Sequence, residues 1–224
     1  MSRYRGTQAE ENYIKALFKI LEDGETSVST NALAHEMNTS AASASDMLKK
    51  LSEKGLVDYA KYQGAKLTKK GDSIAKQLIR KHRLWEVFLV KTLNFKWDEV
   101  HEVAEQLEHI KSEKLVNQLD KFLNFPKFDP HGDPIPDADG NMNYRKQIAL
   151  NDAMMGELYE VVGVKDTSTE FLKFLDNLSI KLGDTLEVTQ IYDYDGSIQL
   201  KLHQNQSLTV SERVSKNLYV RKHA

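Results

Sequence analysis

His82 and Glu86 stand four residues apart in the stretch RKHRLWEVFL. On a helix that spacing places both side chains on one face, one turn from each other. Further on, His101, Glu105, Glu108 and His109 follow at offsets of 0, +4, +7 and +8. At roughly 100° per residue these fall within about a third of a helix circumference. The chain contains no cysteine, which excludes disulfides, thiolate nucleophiles and zinc fingers and leaves nitrogen and oxygen as the metal donors. Six such donors on two helices adjoining in sequence could surround one or two divalent ions, and a carboxylate-rich set suits Mn²⁺ or Fe²⁺ better than copper or structural zinc. An ordinary solvated face would give the second helix the same acidic side, opposite a core stripe of Val100, Val103, Leu107 and Ile110. The first helix weighs against that reading, because His82 shares a face with Leu78, Ile79 and Trp85. A half-buried His and Glu need partners, and a metal ion would supply them.

The elements that must position these groups follow from periodicity. Tyr13, Ile14, Leu17, Phe18 and Leu21 recur at helical spacing, predicting a first helix over 10–21 that ends at a turn on Asp23-Gly24. A short helix over 30–37, a tight turn at Asn38-Thr39 and a second helix over 40–54 come next, then strands over 56–59 and up to Leu67 around Gly64. Thr68 is placed to cap the following helix. The histidines belong to a long helix predicted over 72–93 and a second over 98–119. The chain then turns irregular through FPKFDPHGDPIPDADGN, which holds all four prolines and reads as a loop or linker. In the tail, Leu186, Val188, Gln190 and Tyr192, then Ile198, Leu200 and Leu202 after an Asp195-Gly196 turn, alternate with period two and suit a small β-barrel. A short helix over 169–176 precedes these strands.

Helix, helix, turn, helix, hairpin is the order of a winged helix-turn-helix. Ala32, Leu33 and Met37 with Ala44, Leu48 and Leu51 can form the apex that holds two helices at a steep angle, freeing the other face of the second for the major groove. Small residues crowd its start, with Ser40, Ala42, Ser43 and Ser45 permitting close approach to a duplex and Asp46, Lys49 and Lys50 further along. Lys61 and Lys66 on the wing, beside Lys69 and Lys70, would reach phosphates. The formal net charge of −2 hides an asymmetry: residues 1–97 balance at +6 and residues 98–224 at −8. Phosphate affinity comes from local basic surface, so the first half is the expected nucleic-acid face.

With 224 residues the chain exceeds one average domain, and 40% hydrophobic against 29% charged residues reads as soluble and globular. No apolar run approaches the roughly 20 residues of a membrane helix, and the start shows no secretion signal, so the expected compartment is the cytoplasm.

Taken together, EENYIKALFKI, the helix-turn-helix segment, RKHRLWEVFL, HEVAEQLEH and PHGDPIP, in this order and spacing, resemble the diphtheria toxin repressor and manganese transport regulator family of metal-dependent repressors. The resemblance implies a mainly α chain with a winged helix-turn-helix DNA-binding domain over 1–72, a helical metal-binding and dimerisation domain over 73–144 and an SH3-like (FeoA-like) domain over 150–224. It implies a homodimer on double-stranded operator DNA, not an enzyme and not at a membrane. His82, Glu86 and His101 match one set of family ligands, and Glu105, Glu108 and His109 the other; Glu170, with Asp166, falls where a tail side chain can join the first set. Two departures stand out. Asn12 offers a neutral amide where the family has Met or Asp, and Lys15 replaces a second acid of the manganese branch. Two other classes compete: a winged-helix regulator sensing an organic ligand, with the acidic groups as solvated surface, and a dimetal enzyme. The latter lacks its usual Glu-x-x-His pairs, since Gln106 stands three residues before His109.

Overall fold

The computed structural model describes residues 6–22, 24–60, 63–202 and 207–223. Its contacts divide the chain into two compact units: 1–82 with 107–113 and 136–141, and 83–106 with 114–135 and 142–224.

In the first unit, helix α1 (Gln8–Glu22) opens on a reciprocal cap. The Thr7 hydroxyl accepts from the Glu10 amide, and Glu10 reaches back to the amide of Thr7. Helices α2 (Thr30–Glu36) and α3 (Ala41–Glu53) are capped by Ser29 and Ser40, whose oxygens accept from the amides of Ala32 and Ser43. Each such cap is worth about 1 kcal/mol. Between them Asn38 adopts φ +46, a left-handed conformation that Asn tolerates and that makes the expected tight turn. Leu33, Ala44, Leu48 and Leu51 are fully buried, as the helix-turn-helix apex requires. Ala32 is exposed, however, and Ala34 takes its place in the core. Strands β1 (Val57–Ala60) and β2 (Gly64–Leu67) pair antiparallel as the wing, and Val28 bridges to Ala65. Thr68 caps helix α4 (Lys69–Leu93) through the Gly71 amide. Asp23 and Lys61 lie outside the described residues.

Helix α4 is unbroken and contributes to both units, with its later turns in the second. The single helix expected over 98–119 is two: α5 (Val100–Leu107) and α6 (Glu113–Phe122). Leu84 and Val87 of α4 pack with Val116 and Leu119 of α6 and with Ile135, while Leu89 packs with Val100 and Ala104 of α5. The tail forms a six-stranded antiparallel sheet of β3 (Ile148–Ala149), β4 (Leu158–Val164), β5 (Thr185–Ile191), β6 (Ile198–Lys201), β7 (Ser207–Val210) and β8 (Leu218–Lys222), in the order β3-β8-β4-β5-β6-β7. Register shifts at Val161/Gly163 and Val188/Gln190 curve it. Helix α7 (Thr169–Asn177) buries Leu172 and Leu175 in the same core as Leu186, Val188, Ile198 and Leu200. A last helical turn, α8 (Glu212–Ser215), closes the core through Val214. Among the described residues no helix is long and apolar enough to cross a membrane.

Candidate metal centre

The second unit holds a buried carboxylate and imidazole cluster centred on Glu86. Position 86 lies on the inner side of α4, so its side chain is only 2% exposed. His101, at the start of α5, brings Nδ1 to 3.4 Å from Glu86 Oε1, and its Nε2 lies 3.5 Å from Glu105 Oε1. The other Glu86 oxygen lies 3.7 Å from Nδ1 of His131. Asp129 completes a set with Glu86 and His131 in which one ligand atom of each lies within 4.8 Å of the others. All three are buried. Two carboxylates and an imidazole converging at that spacing are a donor set that fits a divalent ion of the Mn²⁺ or Fe²⁺ kind.

Asp129 and His131 come from the proline-rich segment that sequence reasoning treated as a linker. The segment is rigid for identifiable reasons. Asp129 Oδ1 accepts from the amides of His131 (2.8 Å) and Asp133 (2.9 Å). Arg83 approaches Asp129 at 3.6 Å and Asp133 at 3.3 Å, and donates to the Pro134 carbonyl. Gly132 has φ +95, and a Cβ there would stand 2.2 Å from the carbonyl oxygen of Val162. His131 Nε2 donates to the Trp97 carbonyl at 2.8 Å, and the Trp97 ring stacks on the imidazole. That bond turns Nδ1 toward Glu86, as an oriented ligand requires. The signal that could have found these residues is an acid and an imidazole two positions apart between proline and glycine turns, in a chain already rich in metal donors.

The electrostatics follow from burial and crowding. Asp129 is pushed up to about 7, first by loss of solvent and then by the charges of Asp133 and Glu86. Burial works against charge on His131, yet the neighbouring Glu86 carboxylate and the charge of Asp129 lift it to about 9. Without a metal the cluster therefore retains protons at neutral pH. A cleft of about 500 Å³ lined by Trp97, Asp98, His101, Glu102, Thr167 and Thr169 gives solvent access to His101. Glu170 is exposed and Asp166 accepts from the Ser168 amide, so the structure brings neither into the Glu86 cluster.

The first unit gathers a different set. Glu108 and His109 follow the end of α5 rather than continuing a helix, and Glu108 is buried, not on a solvated face. Its two oxygens receive the Lys15 ammonium at 2.7 and 2.8 Å, and Oε2 also meets His82 Nδ1 at 2.6 Å. Burial opposes ionisation of Glu108, but the His82 hydrogen bond and the Lys15 charge prevail and hold its carboxyl below the usual range. His109 Nδ1 pairs with Glu11 Oε2 at 2.6 Å. Asn12 Oδ1 is buried without a hydrogen-bond partner. His82 is 4% exposed, as its apolar neighbours on α4 predicted. A divalent ion does not fit Glu108 in this arrangement, because an ammonium already bridges both oxygens.

On the expected DNA face, Ala42, Ser43, Asp46 and Lys49 are exposed on α3. Ser40 and Ser43 hydrogen-bond to each other in the cap, Ser45 bonds the Tyr59 hydroxyl of the wing, and Asp46 pairs with Lys49. Lys50 is less available than its position suggested, since it pairs at 2.9 Å with the buried carboxylate of Glu10, which also binds Lys54. Lys66 is exposed on β2 opposite Asp58.

Comparison with known proteins agrees with this geometry along nearly the whole chain. Residues 7–65 match the iron dependent repressor N-terminal DNA binding domain, 68–137 the iron dependent repressor metal binding and dimerisation domain, and 148–222 the FeoA domain. The iron-dependent repressor IdeR of Mycobacterium tuberculosis (strain ATCC 25618 / H37Rv) is 34% identical over 126 residues, 56% of this chain. That match spans about half the length of the relative, 54%. A solved manganese-dependent transcriptional repressor in complex with manganese is 33% identical, covers 96% of this chain and 100% of its own, and superposes with a TM-score of 0.87. The manganese regulator SloR is 36% identical, with 96% and 98% covered and a TM-score of 0.76. The three domain matches follow one another along nearly the whole chain, and the chain belongs to the diphtheria toxin repressor and manganese transport regulator family of metal-dependent repressors.

Proposed function

We propose that this chain is a cytoplasmic, homodimeric transcriptional repressor that binds operator DNA when Mn²⁺ or Fe²⁺ occupies the Glu86 cluster, and that it controls genes of metal-ion homeostasis. The observation that carries the reading is the buried convergence of Glu86, Asp129 and His131 in a chain that also presents an exposed recognition helix, α3. His101 joins through its contact with Glu86, and His82 lies one turn before Glu86 on α4. Residues 1–72, 73–144 and 150–224 are the working division into DNA-binding, metal-binding and tail domains.

A divalent cation held by Glu86, Asp129 and His131 would supply the positive charge that the two crowded carboxylates lack. The remaining steps belong to the chain. Arg83 and the Trp97 carbonyl hold the loop and orient His131, so the donors need little reorganisation. Glu86 and His82 sit on α4, the helix that runs into the winged-helix unit, so ordering them stiffens the element that unit grows from. DNA affinity then gains what ordering no longer costs, a coupling of about 1 to 3 kcal/mol.

The test selects duplex fragments from a random pool in Mn²⁺ and measures their affinity by gel shift with saturating Mn²⁺ and with chelator. Binding at least fivefold tighter with Mn²⁺ is expected. Equal affinity in both conditions rejects the reading.

A further inference from the structure

We propose that Lys15 is the built-in cation of the cluster between α1 and the end of α5, so that this chain takes divalent metal at the Glu86 cluster and not at Glu108. The inference rests on the metal-responsive reading above. It concerns the ligand set Asn12, Glu105, Glu108 and His109 that family resemblance implies and that the structure does not assemble around an ion position.

Both oxygens of Glu108 face one ammonium, Lys15 Nζ, at 2.7 and 2.8 Å, and the pair is 7% and 1% exposed. Glu11, one turn before Lys15 on α1, is committed to His109. Burial lowers Lys81, against the charges of Glu11 and Glu108 and with that of Lys111. Glu108 thus has its charge met by the Lys15 ammonium without a divalent ion. Adding one would leave excess positive charge in a site with little solvent to screen it, which buried ions do not tolerate. The donors that remain to such an ion include His109 Nε2, since Glu11 engages the other ring nitrogen. Asn12 offers an unpartnered amide oxygen, but a neutral one. Glu105 lies 49% exposed beside His101. Since Lys15 belongs to α1 and Glu108 follows α5, their ion pair ties those two segments together within the first unit.

The experiment counts Mn²⁺ bound per chain by the loss of the free-ion EPR signal, using full-length wild type, Glu86→Gln and Lys15→Glu. One equivalent for wild type, none for Glu86→Gln and two for Lys15→Glu are expected. Two equivalents on wild type, one retained by Glu86→Gln, or a folded Lys15→Glu that still takes one, overturns the assignment of Lys15. Should Lys15→Glu fail to fold, manganese-edge anomalous scattering from Mn²⁺-soaked wild-type crystals decides. A peak at the Glu86 cluster with none in bonding range of Glu108 supports the proposal, and a peak at Glu108 overturns it. No ion bound by wild type under any condition removes the parent reading instead.

Discussion

Glu86 is shared by two imidazoles, one from a helix and one from a loop, and the loop histidine is the more deeply buried of the two. This fixes how the metal-free protein responds to pH. His131 has a folded value of about 9, above the ordinary 6.5, so the stability it confers is fully present below about 6.5 and is lost as pH rises through about 9. Asp129, raised from 3.8 to about 7, acts in the same direction over a lower window. Urea unfolding in chelator should therefore show lower stability at pH 9 than at pH 6.5, on the order of 3 kcal/mol at most from His131. His131→Gln should flatten that slope, and a metal-free wild type that is equally stable at both pH values contradicts the assignment. That His82 and Glu86 share a face of α4 was legible because helical spacing converts sequence offsets into one face. Asp129 and His131 were not, because a loop has no period, and only its folded turns reveal that an acid and an imidazole point one way.

At the level of elements, helix lengths were read well wherever a cap or a glycine marked an end, as at Ser29, Ser40, Thr68 and Gly55. The break between α5 and α6 carries no glycine or proline, and so one continuous helix was expected. The cause is tertiary: Val100 and Ala104 pack in the second unit, whereas Glu108 and His109 bond to α1 in the first. The proline-rich loop shows the converse, an irregular segment that is structurally exacting. Gly132→Ala would force a Cβ to within 2.2 Å of the Val162 carbonyl in β4 at a backbone φ of +95. The expected cost is about 2 kcal/mol or more, read as a fall in the thermal midpoint together with weaker Mn²⁺ binding, because His131 and Asp129 move with the loop. A variant with the midpoint and metal affinity of wild type would show that the loop is not held as described.

For the molecule as a whole, the coupling between metal and DNA must be reciprocal. If Mn²⁺ tightens DNA binding by a given factor, saturating duplex must tighten Mn²⁺ by the same factor, and calorimetry of Mn²⁺ into the free and the DNA-bound protein checks this. A duplex that leaves Mn²⁺ affinity unchanged while Mn²⁺ strengthens duplex binding would mean that the two experiments do not report one equilibrium. Helix α4 adds a practical constraint. Its 25 residues serve both compact units without interruption. A fusion that grafts either unit elsewhere must place its seam ahead of Lys69 or beyond Leu93, since a cut inside that span divides a single helix to which both units contribute residues.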